Sequence, residues 1–293
     1  METRAHLRKR ANDKSPRHQV TSYWERTLWP LQSLYFLLPL LIGYEIGAVA
    51  FAPEGGERLP QIYAERMLGR FFELTGVTGY YLPGIATVVV LMCLHFARRD
   101  PWRPEPRLYA AMLVESIVLA APLFVFSIMI TTPPAADIAG GGGAGGWLSA
   151  GSAGELPGAL LASTADAATG LDGVASWREG VVFSVGAGIY EELVFRLIVI
   201  AVAHMLLHDL LALPKGWSAG GAIALSAITF ALYHPFDTHL PWGWDSADWG
   251  RFAFYSLAGL YFAAIYVYRG FGIVAATHAL YDVMVITAYF RNA

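Results

Sequence analysis

Long apolar runs separated by short polar intervals dominate the chain. Seven of them, at 28–51, 78–97, 108–132, 179–207, 217–236, 250–268 and 271–290, are close to the roughly 20 residues that a helix needs to cross a bilayer core. Hydrocarbon offers no water to the backbone, so each run must close its hydrogen bonds internally, as an α-helix. The pattern predicts an all-α, multi-pass transmembrane helical bundle of about seven spans. The run 179–207 is longer than needed and suggests an interfacial turn at its start. Residues 158–175 fit a short re-entrant or interfacial piece, which would raise the count to eight. Residues 57–76 mix Arg and Glu with Leu, Met and Phe and predict an amphipathic surface helix.

Composition agrees with a membrane protein. Hydrophobic residues make up 56% of the 293 positions and charged residues only 15%, and the mean hydropathy is +0.45. Soluble domains carry about 25% charged residues. A net charge of −3 gives no basic field for nucleic acid, so no nucleic-acid partner is expected. The single cysteine, Cys93, excludes an intrachain disulfide and a cysteine-based zinc cluster, and its apolar surroundings predict a packing role. The glycine run Gly140–Gly146 lacks the Lys-Ser/Thr and the preceding strand of a phosphate cradle and reads as a flexible extramembrane linker.

Charge placement orients the spans. Thirteen of the twenty Lys and Arg fall in the N-terminal segment, in the loop holding Arg98, Arg99, Arg103 and Arg107, or at Lys215 and Arg269. These positions share one side under strict alternation, and that side is cytoplasmic by the positive-inside rule. The N-terminus is then cytoplasmic and the C-terminus outside. Residues 1–27 are polar and basic and lack a cleavable h-region, so the first span should remain as a signal anchor. Three regions follow: a basic cytoplasmic segment over 1–27, N-terminal helices with the Gly-rich loop over 28–178, and a C-terminal core over 179–293. Arg outnumbers Lys, and Ala and Gly are abundant, which fits a high-GC genome and a bacterial inner membrane.

Three polar motifs interrupt the C-terminal spans: Glu191-Glu192-x-x-x-Arg196, Phe230-x-x-x-His234 and His278-x-x-x-Asp282. Ionisable groups are costly in hydrocarbon and usually mark function there. Residues four apart share a helix face, so Glu192 and Arg196 can neutralise each other. Glu191 lies about 100° round from Glu192 and can point elsewhere. One carboxylate is then free for chemistry while the other is structural. His278 and Asp282 share a face, as do Phe230 and His234. Singly, each motif is more often a helix-packing device; together, on three spans, they predict one buried polar site. Peptide hydrolysis needs a base and a donor set for the oxyanion, and this set of groups suits it. His204-x-x-x-His208 with Asp209 has metal-like spacing at the end of a span, and Glu45 and Glu115 are read as structural intramembrane carboxylates, Glu115 pairing with an arginine or a polar backbone. Straight, fully spanning helices would place His234 near one end of its span and His278 near the opposite side, too far apart to meet.

The ordered set Glu-Glu-x-x-x-Arg, Phe-x-x-x-His and His-x-x-x-Asn/Asp resembles the CAAX protease and bacteriocin-processing family, also called the abortive-infection family. Its members are intramembrane glutamic endopeptidases and include the type II CAAX prenyl endopeptidases. The resemblance covers about 180–290. It implies that Glu191 is the general base that activates water, that His234 helps hold the water, and that His278 and Asp282 support the oxyanion. Glu192 and Arg196, with Phe230, would brace the site. Two positions depart from the family pattern: Asp282 stands where Asn is frequent, and Leu197 where Gly often follows the arginine. An ionised Asp cannot donate a hydrogen bond as Asn does.

The expected activity is cleavage of a membrane-anchored peptide or protein at the lipid bilayer. No cofactor is expected; Glu191, His234 and His278 are the residues that would hold a divalent metal such as zinc. Two rival readings are a non-catalytic membrane binding protein of the same fold and a proton-coupled transporter. Reporter fusions after Arg103 and within 140–150 should report opposite sides of the membrane, and the same side for both would overturn the seven-span order.

Overall fold

Helices form where the apolar runs predict them, and caps or prolines set several of their ends. The computed structural model describes residues 22–52, 59, 61–131, 176–234, 244 and 246–292. Helix α1 (Tyr23–Thr27) starts at a capping box between Ser22 and Glu25. Helix α2 (Pro30–Ala50) has proline in its first turn, where a missing N–H costs nothing. Then come α3 (Tyr63–Leu74), α4 (Leu82–Arg98) and α5 (Pro106–Thr131). The C-terminal half holds α6 (Trp177–Leu210), α7 (Lys215–Tyr233), α8 (Ser246–Arg269) and α9 (Phe271–Asn292). The described residues contain no strand. The protein is an all-α multi-pass bundle.

Among the described residues, six helices are long and apolar enough to cross a membrane, within Pro30–Ala50, Pro106–Met129, Trp177–Leu210, Lys215–Tyr233, Trp249–Arg269 and Phe271–Arg291. The seventh expected span, 78–97, is the shorter apolar helix α4, with 17 residues. At 1.5 Å per residue α4 is about 25 Å long, a little under the core of a typical bilayer. It begins late because Gly76, with φ +80°, turns the chain and Pro83 sits in the first turn. The Gly-rich linker, the eighth candidate at 158–175 and the basic N-terminal segment up to residue 21 lie outside the described residues.

Helix α6 is continuous but not uniform. Its α-helical start, Trp177–Glu192, gives way to π-helical turns at Leu193–Val199 and Leu206–Leu210. Wider turns of this kind are rare and gather at functional sites. The first one follows the two glutamates directly and contains Arg196.

The core is the crossing of α6 and α9. Gly180 faces Ile286, Gly188 faces Ala275 and Ala279, and the Trp177 indole donates to Thr287 Oγ1 at 3.1 Å. These pairs run in opposite directions along the chain, so the helices are antiparallel. At Gly188 a Cβ would lie 2.6 Å from Ala275 O and from Ala279 N. Small-residue contacts like this let helix backbones approach closely in a membrane, where apolar attraction between helices is weak. Helix α9 turns back from α8 at Gly270, whose φ of +86° suits glycine.

Helix α3 does more than lie on the surface as the amphipathic pattern predicts. Met67, Phe71 and Leu74 are exposed, as a membrane-facing stripe should be. Its first turn, however, is docked. Ala64 and Glu65 are fully buried, Tyr44 donates to the Glu65 carboxylate, and Gln61 adds a bond at 3.2 Å.

The other expected intramembrane carboxylates are structural. Glu115 takes Nε and Nη2 of Arg269 at 2.5 and 2.7 Å and the Tyr23 hydroxyl at 2.5 Å, while Trp24 covers the guanidinium at 3.8 Å. Burial, helped by the Glu115 bond, pushes the Tyr23 phenol up to about 12. Arg269, expected as a loop charge, is instead the buried last residue of α8. Glu45 accepts the Tyr190 hydroxyl at 3.1 Å.

The Gly188 crossing predicts a sharp size limit. Gly188→Ala should force α6 and α9 apart and cost about 1–3 kcal/mol, the usual range for overpacking. A lowered melting temperature in detergent is the expected result; an unchanged one would mean that the crossing relaxes freely.

Candidate active site

One turn beyond Gly188, α6 presents Glu191 and Glu192 to α9 and α7. Both carboxylates are buried, and each faces a different set of partners, as their 100° offset predicts. Glu192 Oε1 meets His278 Nδ1 at 2.7 Å, and its Oε2 pairs with Arg196 Nε at 3.0 Å. The guanidinium is wholly buried and lies against aromatic faces, with Cζ 4.3 Å from the Phe230 ring centre and 5.6 Å from that of Phe262. Ring faces carry negative potential and stabilise the cation where water is excluded.

Glu191 points to the other side. Its Oε1 accepts the Tyr233 hydroxyl at 3.3 Å. Its Oε2 lies 3.9 Å from His234 Nε2 and 3.9 Å from His278 Nε2. Asp282 Oδ2 stands 3.5 Å from the same His278 nitrogen. Glu191 Oε2 and Asp282 Oδ2 are buried and have no hydrogen-bond partner among the described residues. Such atoms are costly unless something else fills their valence.

The three motifs thus converge. Glu191, Glu192, Arg196, Phe230, His234, His278 and Asp282 are all brought together, and the two histidines do meet. They would miss each other only if the helices were straight and each matched the bilayer. Helix α6, at 34 residues and about 51 Å, cannot match a core of about 30 Å without tilting or protruding. His234 caps the C-terminus of α7, while the Gly188 register sets His278, seven residues into α9, opposite the glutamate pair.

Three side chains escaped the sequence reading. Tyr233 bridges Glu191 to the first turn of α3, accepting the Ala64 N–H at 3.0 Å. On α8, Tyr255 stacks on His234 with ring centres 4.0 Å apart, and Phe262 stacks on His278 at 4.6 Å. Their seven-residue spacing puts both rings on one face of α8 and was a readable signal. Tyr233 sat inside a motif as a spacer and gave none.

His204 and His208 do not join the site. They lie in the far turns of α6 with ring centres 5.5 Å apart, and His208 Nδ1 contacts Leu213 O at 2.9 Å. Among the described residues no group of three or more His, Cys, Asp or Glu is arranged to hold a metal ion.

A water-excluding cluster of carboxylates and imidazoles on membrane-length helices is the equipment of an intramembrane hydrolase. Residues 173–284 match the family model described as Type II CAAX prenyl endopeptidase Rce1-like. The match supports placing the C-terminal helical core with the CAAX protease family, and with it a membrane endopeptidase of the CAAX type acting on a membrane-associated peptide. No curated protein and no solved structure matches the chain.

Glu192 balances Arg196 and accepts a hydrogen bond from His278. Glu192→Ala should therefore cost about 3–5 kcal/mol, the usual penalty for leaving a buried charge unpaired. Detergent melting and folded yield should fall together; a fully stable variant would show that Arg196 finds another counter-charge.

Proposed function

We propose that the protein hydrolyses a peptide bond of a membrane-associated substrate, with Glu191 as the general base. The observation that carries this reading is the position of Glu191 Oε2, unpartnered and 3.9 Å from two imidazole nitrogens. That distance is too long for a direct hydrogen bond and suits a water placed to one side of the carboxylate–imidazole line, about 2.8 Å from each. Glu191 takes a proton from this water as its oxygen attacks the carbonyl carbon. The tetrahedral intermediate then collapses, the carbon–nitrogen bond breaks, and the proton passes from Glu191 to the leaving amine. General-base assistance of this kind contributes typically 10²–10⁴-fold.

His234 and His278 hold the water. His278 and Asp282 flank the side from which the carbonyl approaches. Glu192 and Arg196 fix His278, and Phe230 screens the guanidinium. The proposed reaction uses no metal. A zinc ion with bonds near 2.0 Å would set its ligand atoms about 3.3 Å apart, and the 3.9 Å gaps here are wider.

The test is turnover of a fluorogenic, lipid-anchored peptide library by the full chain in liposomes. Glu191→Gln should abolish cleavage at near-normal folded yield, because it removes the base and keeps the shape. If Glu191→Gln cleaves normally while Glu192→Gln is inactive at normal yield, the glutamate roles are reversed. If neither change matters, the glutamate mechanism fails; if the wild-type chain cleaves nothing in the library, the hydrolytic reading fails. Activity should survive metal chelation; loss on chelation with recovery on added zinc would place a metal at Glu191, His234 and His278.

A further inference from the structure

The hydrogen-bond partners in the site fix where its protons lie. His234 Nδ1 sits 2.8 Å from Phe230 O. A carbonyl oxygen only accepts, so Nδ1 carries the proton and the neutral ring presents a lone pair at Nε2. His278 Nδ1 donates to the Glu192 carboxylate at 2.7 Å, and its Nε2 faces Asp282 Oδ2 at 3.5 Å. His234 Nε2 and Glu191 Oε2 therefore both accept, and between them the inner end of the site can strip and orient a water. Neither of these two atoms donates to a carbonyl oxygen that is becoming negative.

A neutral donor stands beside them. Tyr255 is buried, lies nearly parallel to His234 with an interplanar angle of 14°, and has a hydroxyl with no hydrogen-bond partner among the described residues. It is within electrostatic reach of both Glu191 and Asp282. The Tyr233 hydroxyl is already committed to Glu191, and the Arg196 guanidinium is covered by Phe230 and Phe262. Thr277 and Ser256 also have unpartnered hydroxyls. Each is one residue from His278 or Tyr255 and so is turned about 100° round its helix. A buried phenol without a partner is costly in a stable fold, and a substrate carbonyl at this place would supply the missing acceptor.

We propose that Tyr255 is a catalytic residue whose hydroxyl donates to the carbonyl oxygen of the scissile bond and stabilises the tetrahedral oxyanion. The inference rests on the hydrolytic reading above. It gives the oxyanion a donor that an ionised Asp282 cannot be, and leaves Asp282 to orient His278. No proton leaves the phenol: the hydrogen bond shortens as negative charge grows on the carbonyl oxygen and relaxes when the carbon–nitrogen bond breaks. Donors of this type act mainly in the transition state, so they affect kcat more than ground-state binding.

The experiment uses the full chain in liposomes with one peptide that it cleaves, chosen from the lipid-anchored library, and a phosphinate analogue of that peptide. Tyr255→Phe keeps the stacked ring and removes the donor. It should lower kcat by about 100-fold, leave KM within about 2-fold, and weaken phosphinate binding by a factor close to the loss in kcat. Site-specific 3-fluorotyrosine at 255 keeps the hydroxyl and should restore turnover. Normal kcat in Tyr255→Phe, with Glu191→Gln inactive, overturns the donor role and leaves the hydrolytic reading intact. Normal cleavage by Glu191→Gln overturns Glu191 as the base, a failure separate from that of the donor role. A loss of kcat in Tyr255→Phe that leaves phosphinate affinity unchanged, or that fluorotyrosine does not reverse, also overturns the donor role, because shape rather than the hydroxyl would then be what matters.

Discussion

A carboxylate sealed from water needs its charge matched inside the protein, and Glu192 meets that need with two partners from different places. Arg196 comes from the next turn of α6 and His278 from α9. The first contact makes a buried guanidinium tolerable. The second fixes the tautomer of an imidazole whose other nitrogen faces Glu191. Much of the site geometry therefore depends on one residue that need not touch a substrate. The close approach of α6 and α9 at Gly188 makes the arrangement reachable, since a wider crossing would carry His278 away from both glutamates.

The periphery repeats the same solution with different parts. Glu115, Arg269, Tyr23 and Trp24 tie α1, α5 and α8 together through one bidentate ion pair, one phenol and one stacked indole. Both clusters place an arginine against aromatic faces and a carboxylate. They differ in what is left over. Around Glu115, hydrogen bonds take up both carboxylate oxygens. Around Glu191, one oxygen is left bare. Unfilled valence in a buried cluster is a sign of chemistry, and a filled one is a sign of anchoring.

Sequence showed the spans and the three motifs because both rest on local rules: helix length against bilayer thickness, and the cost of charge in hydrocarbon. The offset between Glu191 and Glu192 was likewise legible from helical geometry alone. What stayed hidden depends on relations between helices. The π-helical turns after Glu192 leave no compositional mark. Tyr233 links Glu191 to Ala64, which lies 169 residues from Tyr233 in sequence, and no periodicity records such a contact. Arg269 looked like a loop cation because it falls between two apolar runs, yet its partner lies on α5. A meeting of His234 and His278 looked difficult only while every helix was given the same length and tilt.

The far half of α6 carries a practical consequence. Val202, Met205, Leu206, Leu210 and Leu211, with Trp217 across the turn, are all exposed on the hairpin that joins α6 to α7. With α6 about 51 Å long, this greasy tip extends beyond what a belt as wide as an ordinary bilayer core can cover. Purification in short-chain detergents would leave it bare, so particles should associate tip to tip, whereas long-chain detergents or thick-bilayer discs should keep them apart. The helix that carries the two glutamates also sets which solubilising environment keeps the molecule single.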